Sequence, residues 1–279
     1  MNGIEHELPD PTAADIESAE TRQLAPRVVK PQTGMHRWWN QTWNFLYPPL
    51  CCQCGTDLGD QSSTLCARCE QQLEIAQGTT CHRCAAPVGP HLDTHNGCGH
   101  CRNDSFAFDR VFALGVHRDG LKRAILNAKT SHPLAAGLVE LLYRQRGHEL
   151  QKLNLDCVIP IPQYWLDRLL QPHFAAQSMA QAWSRLLMVD LQGHILTKRR
   201  RTQRQSVLSP SERKSNLRNA FGISGHPRLE GRTILLVDDV LTTGTTAHRA
   251  AKVLRTAGAA RIYVAVIARG IGVERLSSS

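Results

Sequence analysis

The sequence predicts an α/β protein, a sheet of mostly parallel strands flanked by helices, preceded by a small module held together by metal. Three observations predict it. Short, continuously apolar runs at Cys157–Ile161, Thr233–Val237 and Ile262–Ala268 suit strands buried on both faces. Segments with helical apolar spacing separate them. Four Cys-x-x-Cys pairs crowd into residues 51–101.

The 279 residues leave room for about two domains. No apolar run approaches the ~20 residues that a membrane-spanning helix needs, which excludes an integral membrane protein of that kind. Residues 1–33 are acidic and carry Pro9, Pro11, Pro26 and Pro31 without a sustained apolar period, so a disordered tail is expected. Met1–Asp10 lacks the basic start and hydrophobic middle of a secretory signal, and a cytoplasmic location follows as an expectation. Residues 34–50 read as an aromatic connecting helix, with Trp39, Trp43 and Leu46 on one face. A clamp between domains is its first reading, and a surface for a membrane or partner its second.

Residues 51–104 are short of apolar side chains, and a reducing compartment disfavours disulfides. The pairs Cys51/Cys54, Cys66/Cys69, Cys81/Cys84 and Cys98/Cys101 point instead to metal. Each knuckle presents two thiolates on one side of a tight turn, and two knuckles complete a four-sulfur tetrahedron around zinc. Eight ligands imply two structural Zn²⁺ ions in a double zinc ribbon. The simplest partition is sequential, and an interleaved one uses the same eight residues. Cys52 could replace Cys51, and His82, His91, His95 and His100 are minor substitutes. With so few apolar residues, much of the folding free energy here is expected from the metal.

Residues 105–270 carry the α/β pattern, with 271–279 left as a tail. Val111–Val116 reads as a strand, Leu121–Lys129 and Leu134–Tyr143 as helices, and a further helix spans about Ala175–Leu187. Cys157 reads as a buried core thiol. The most informative stretch is Val237-Asp-Asp-Val-Leu-Thr-Thr-Gly-Thr-Thr246, running from a strand into a helix over Thr245–Thr256. Ligands bind at the carboxyl ends of parallel strands, and free N–H groups at a helix start attract phosphate. Thr242, Thr243, Gly244, Thr245 and Thr246 would cradle that phosphate. Asp238 and Asp239 suit a pair of sugar hydroxyls, directly or through hydrated Mg²⁺. No Gly-Lys-Ser/Thr follows Gly244, which excludes a P-loop.

The net charge of +9 is concentrated. Between His194 and Arg232 ten basic residues face only Glu212 and Glu230, a surplus of eight. Such a segment fits a polyanionic substrate or partner, or a solvated loop. Binding of single-stranded DNA here would be electrostatic and salt-sensitive, since aromatics for base stacking are few. Arg68, Arg83 and Arg102 of the ribbons offer a second such surface.

Leu235–Thr246 resembles the phosphoribosyl-pyrophosphate (PRPP) signature of type I phosphoribosyltransferases. With cysteine knuckles in front, the stretch from Pro48 to Arg269 resembles the ComF/GntX family, associated with natural competence and use of external DNA. Pro160-Ile-Pro162, Arg200–Gln205, Arg213–Asn216 and Ala220-Phe221 belong to the same match. The resemblance implies a type I phosphoribosyltransferase-like parallel sheet behind the double zinc ribbon. Asp238 and Asp239 would face the ribose and Thr242–Thr246 would hold the 5′-phosphate. The turn after Pro162 would lie near the pyrophosphate, and Arg200, Arg201, Thr202 and Gln205 would belong to a loop over the site. Where the family carries Arg-Gly-Phe-Asn-Gln, this chain keeps only Phe174 and Gln177.

Three functional readings follow from this. The first is a cytoplasmic DNA-uptake protein that binds PRPP and contacts single-stranded DNA, working with a competence helicase or other uptake proteins. The second is an active phosphoribosyltransferase acting on a nucleobase-like acceptor, and the third a zinc-ribbon DNA-binding scaffold with an inert α/β domain. Neither a general base nor an oligomeric state is legible.

Overall fold

The computed structural model describes residues 49–59, 63–73, 75, 78–163, 175–198 and 220–271. The expected tail 1–33, the aromatic helix as far as Pro48, Phe174, Arg200, Arg201, Thr202, Gln205, Arg213–Asn216 and residues 272–279 lie outside the described residues.

A short helix, α1 (Ala67–Gln72), belongs to the cysteine-rich part. Then follow β1 (Arg110–Val116), α2 (Asp119–Ala128), α3 (His132–Gln151), β2 (Cys157–Pro160), α4 (Ala175–Leu187) and β3 (Asp190–Leu191). β4 (Leu196–Lys198) and β5 (Phe221–Ile223) pair antiparallel, and β6 (Thr233–Leu241), α5 (Thr245–Thr256) and β7 (Arg261–Arg269) complete the order. The main sheet is ordered β1-β7-β6-β2-β3, and every pair in it is parallel. From β2 the chain steps outward to β3, whereas from β6 it steps the other way to β7. The strand order therefore reverses between β2 and β6, which opens a crevice at their carboxyl ends.

A parallel sheet must be covered on both faces, and successive residues of β6 and β7 divide between two buried clusters. Leu235, Val237, Ala265 and Ile267 join α2, α3 and α4 on one face. Ile234, Leu236, Val264 and Val266 meet Ala247, Ala250, Ala251 and Leu254 of α5 on the other. Each fully buried leucine here contributes about 1.5–3 kcal/mol.

Two elements outrun their sequence signal. α3 starts where Ser131 Oγ accepts the Leu134 N–H at 3.3 Å, with Pro133 in the first turn, and continues eight residues beyond Tyr143. Its last turns are mostly polar because one side faces water. There Arg146 pairs with Glu149 at 2.9 Å, while Gly147 and Leu150 are buried. β6 extends past Val237 to Leu241 because β7 keeps supplying ladder partners, through Asp238↔Val266 to Leu241↔Arg269. Asp238 and Asp239 thus sit in a strand, where the sequence places them in a loop.

The cysteine-rich part contains two similar hairpins, bridged at Leu50↔Asp57 and Thr80↔Pro87. The first does not depend on metal alone. Cys51, Leu58, Leu65, Cys69 and Leu73 are buried in the same cluster as α3. Thr64 Oγ1 donates to Glu140 at 3.2 Å, and two glycines let the backbones close up. A Cβ at Gly120 would come within 1.7 Å of the Gln72 carbonyl oxygen, and one at Gly137 within 2.2 Å of Thr64 Oγ1.

This contact makes a testable prediction. Gly120→Ala gains up to about 1 kcal/mol of helix propensity but must displace a backbone carbonyl, an overpacking cost of about 1–3 kcal/mol or more. Thermal unfolding should show a lowered Tm, while Gly89→Ala, whose Cβ would meet nothing within 4 Å, should leave it unchanged.

Candidate functional site

The crevice between β2 and β6 is shaped by where β2 stops. Cys157–Pro160 pairs with Ile234–Val237, and the Ile161 N–H makes one last bond to Val237 O at 2.8 Å. Among the described residues the β2–β6 ladder ends there. β6 then continues for four residues, with β7 alone pairing to it among the described strands. Two amides of this stretch are satisfied locally: Asp239 N–H donates to Asp238 Oδ1 at 2.9 Å and Val240 N–H to Asp239 Oδ1 at 2.8 Å.

The two acids differ in setting. Burial, reinforced by the neighbouring Asp239 charge, pushes the Asp238 carboxyl well above the usual carboxylate range, with Lys198 acting in the opposite direction. Asp239 is half-buried and faces Lys129, whose Nζ lies 3.7 Å from Oδ2. Lys129 follows α2 directly and is a site residue that no sequence pattern indicated. His117, at the end of β1, has its pKa lowered by burial and by Lys122 and Lys129.

Beyond the acids, Thr242–Thr246 wraps a small concave pocket bounded also by Asp238, Ala247 and Val266. Gly244 caps α5 with φ +73°, a left-handed conformation that glycine adopts without strain. The Thr243 and Thr245 hydroxyls lie 2.8 Å apart at the mouth, and Thr242 and Thr243 are exposed. Small hydroxyls, amides of a starting helix and a glycine turn together make an anion-binding nest.

Three further residues hold the nest in shape. Buried Arg269 gathers carbonyls behind it, donating through Nη1 to Leu241 O at 3.1 Å and also to Thr242 O and Gly270 O. The Phe106 ring packs where a Gly244 side chain would begin, 2.9 Å from an ideal Cβ. Ala107 N–H donates to His248 Nδ1 of α5 at 3.0 Å. Phe106 in turn stacks on Phe108 at 4.5 Å and lies under the Arg83 guanidinium at 5.6 Å. Arg83 donates to the carbonyls of Asn96, Cys101 and Asp104, so the second cysteine hairpin reaches the nest through one aromatic ring.

The cysteines form two groups, Cys51/Cys54/Cys66/Cys69 and Cys81/Cys84/Cys98/Cys101, with sulfurs within 4.8 Å of one another in each. The sequential partition holds and the interleaved one does not. Sulfur separations of 3.7 Å for Cys54–Cys66, Cys81–Cys101 and Cys84–Cys98 fit a zinc tetrahedron, whose Zn–S bonds of about 2.3 Å imply edges of about 3.8 Å. Amides support the sulfurs, with Cys66 N–H directed to Cys51 Sγ at 3.3 Å and Cys98 N–H to Cys101 Sγ at 3.4 Å. Cys52 stays outside the set. Its thiol bonds to Thr64 O at 2.9 Å, and burial raises its pKa to about 11. No histidine joins either group among the described residues, and Cys157 is a fully buried thiol in the sheet.

The phosphoribosyl transferase domain family matches residues 175–277, and the double zinc ribbon domain family matches residues 42–102. The chain is 31% identical over 180 residues to competence protein F of Haemophilus influenzae, covering 62% of this chain and 78% of that protein. It is 30% identical over 186 residues to DNA utilization protein YhgH of Escherichia coli (strain K12), covering 64% of this chain and 81% of that one. A solved purine phosphoribosyltransferase from Pyrococcus horikoshii aligns at 17% identity with a TM-score of 0.28, over 53% of this chain and 73% of that one.

Metal analysis tests the ligand assignment. The purified protein should carry two zinc ions, Cys54→Ser and Cys84→Ser should each lose one, and Cys52→Ser should keep both. Loss of a zinc ion from Cys52→Ser would overturn the assignment.

Proposed function

The chain belongs to the ComF/GntX family, a double zinc ribbon followed by a phosphoribosyltransferase-type sheet, and from that premise we propose that it serves uptake or use of external DNA in the cytoplasm. In this reading it binds a ribose-5-phosphate group of the PRPP type in the crevice between β2 and β6. One observation carries the reading: two carboxylates stand on β6 beside an anion-binding nest, at the point where the strand order reverses. Thr242–Thr246 would hold the terminal phosphate. Asp238 and Asp239 would take the two ribose hydroxyls, directly or through a hydrated Mg²⁺, a hard cation suited to carboxylate oxygen. Lys129, released from Asp239, would be free to meet the pyrophosphate. The names of the two relatives, competence protein and DNA utilization protein, supply the DNA side of the proposal. The basic residues at 198–204 and the ribbon arginines Arg68 and Arg102 would supply salt-sensitive contacts to single-stranded DNA, with Arg83 kept by its carbonyl partners, and other DNA-uptake proteins would be its partners.

A second reading, an active transferase, draws on the same crevice. Leaving pyrophosphate would be stabilised by the nest and by cations around it while a nucleobase-like acceptor attacks the sugar. Pyrophosphate release across a panel of bases decides between the two.

Calorimetry of PRPP with Mg²⁺ tests the site. The wild type should bind, and Asp238→Asn/Asp239→Asn should lose the heat signal; equal binding by both proteins would sink the assignment. The ligand requires the Asp238 carboxylate, whereas burial and the Asp239 charge favour the protonated form. Affinity should therefore fall as pH drops below the raised Asp238 pKa, by up to about tenfold per unit, and level off above it. A raised carboxyl pKa stabilises the fold at low pH, and that contribution is lost as pH rises through the folded-state value. Asp238→Asn alone should accordingly raise Tm at neutral pH while weakening the ligand.

A further inference from the structure

A second cavity, of about 380 Å³, lies between the first ribbon and α2, away from the nest. Its walls carry three side-chain amides, Gln53, Gln72 and Asn127, together with Leu73, Leu126 and Arg123. Among the described residues the lining also includes the metal-ligand cysteines Cys54 and Cys69 and no carboxylate. Leu126 is 53% exposed, a large apolar surface for a helix whose other leucine and isoleucine are buried. The wall is rigid, because Gln72 O presses into the space that a Gly120 side chain would fill.

Such a lining has a chemical preference. Carboxamides offer a donor and an acceptor side by side, which is what the edge of a nucleobase presents. Leu126 and Leu73 supply apolar contact for the ring, and Arg123 supplies a cation for a neighbouring phosphate. We infer that this cavity holds one unstacked base of a single-stranded nucleic acid, with the exposed Gln72 and Asn127 carboxamides meeting its polar edge. The inference rests on the proposed contact with single-stranded DNA and gives it a location. It also answers the scarcity of aromatics, since base recognition here uses amides and leucine in place of stacking. The position is suggestive: α2 carries Arg123, Leu126 and Asn127 and ends at Lys129, which pairs with Asp239. Ten residues of helix span about 15 Å, so one exposed helix face joins the cavity to the crevice.

Fluorescence anisotropy of the zinc-loaded full chain with a labelled oligodeoxynucleotide, and with an abasic backbone of equal length, tests this. The wild type should prefer the base-bearing strand. Asn127→Ala and Leu126→Ser should each remove much of that preference, on the order of tenfold in affinity, while leaving abasic binding unchanged. Arg123→Ala should weaken both strands and make the salt dependence shallower by about 0.7 in log–log slope. Each variant should retain two zinc ions and the Tm of the wild type, which separates lost recognition from lost folding. Wild-type binding that ignores bases, or cavity variants that bind like the wild type, would overturn the cavity assignment and leave DNA contact standing. Absence of any DNA binding by the wild type would remove the broader reading with it. Competition by free nucleosides at the affinity of the strand would identify the occupant as a free nucleoside and overturn the strand assignment.

Discussion

The site depends on a mismatch in strand length. β2 and β7 flank β6, but β2 ends at proline while β7 runs on to Arg269. The last residues of β6 are therefore anchored to β7 on one side and, among the described strands, unpaired on the other. Beyond the end of β2, Asp238 and Asp239 turn back to accept from the Asp239 and Val240 N–H groups. An acid pair on such an edge is rigid, half-dry and reachable. Those are the conditions that raise the Asp238 carboxyl and give a ligand something to gain by meeting it.

Around that edge the rest of the chain acts as support from two directions. Arg269 pulls the carbonyls of Leu241, Thr242 and Gly270 together behind the nest. From the opposite side Phe106 fills the space beside Gly244 and ties it to the second ribbon through Arg83. The ribbons are thus parts of the α/β architecture, one sharing its core with α3 and the other bracing the helix that begins at the nest.

Much of this was legible in the sequence, where the signal is local. Cysteine spacing names the eight ligands because a knuckle closes within four residues, and the apolar run before Asp238 with the small residues after it marks strand, turn and helix in one stretch. What was not legible depends on contacts distant in sequence. Nothing near Lys129 announces its pairing with Asp239, and Arg269 looks like an ordinary basic end to a strand until its carbonyl partners are seen. The sparse apolar residues of the ribbon point to a module resting on metal, and the structure adds that Leu58, Leu65 and Leu73 share the core that α3 covers. The length of α3 was understated because its second half buries little, so its apolar period fades before the helix does.

The two metal centres differ in one respect that bears on how the chain is made. The second is enclosed by its own neighbourhood, all four sulfurs buried with Ala86 beside them. The first leaves Cys54 exposed and leans on Glu140 and its helix, 76 residues downstream of Thr64. A polypeptide leaving the ribosome emerges N-terminus first, at about 5–20 residues per second. The earlier-emerging cluster must therefore wait several seconds for its lid, whereas the later one meets α3 through the Arg146–Thr80 hydrogen bond at 3.3 Å and has all four of its cysteines buried. Newly synthesised chains should acquire their ions in reverse of the order in which the ligands appear, with the first knuckle open to oxidants or competing metals meanwhile.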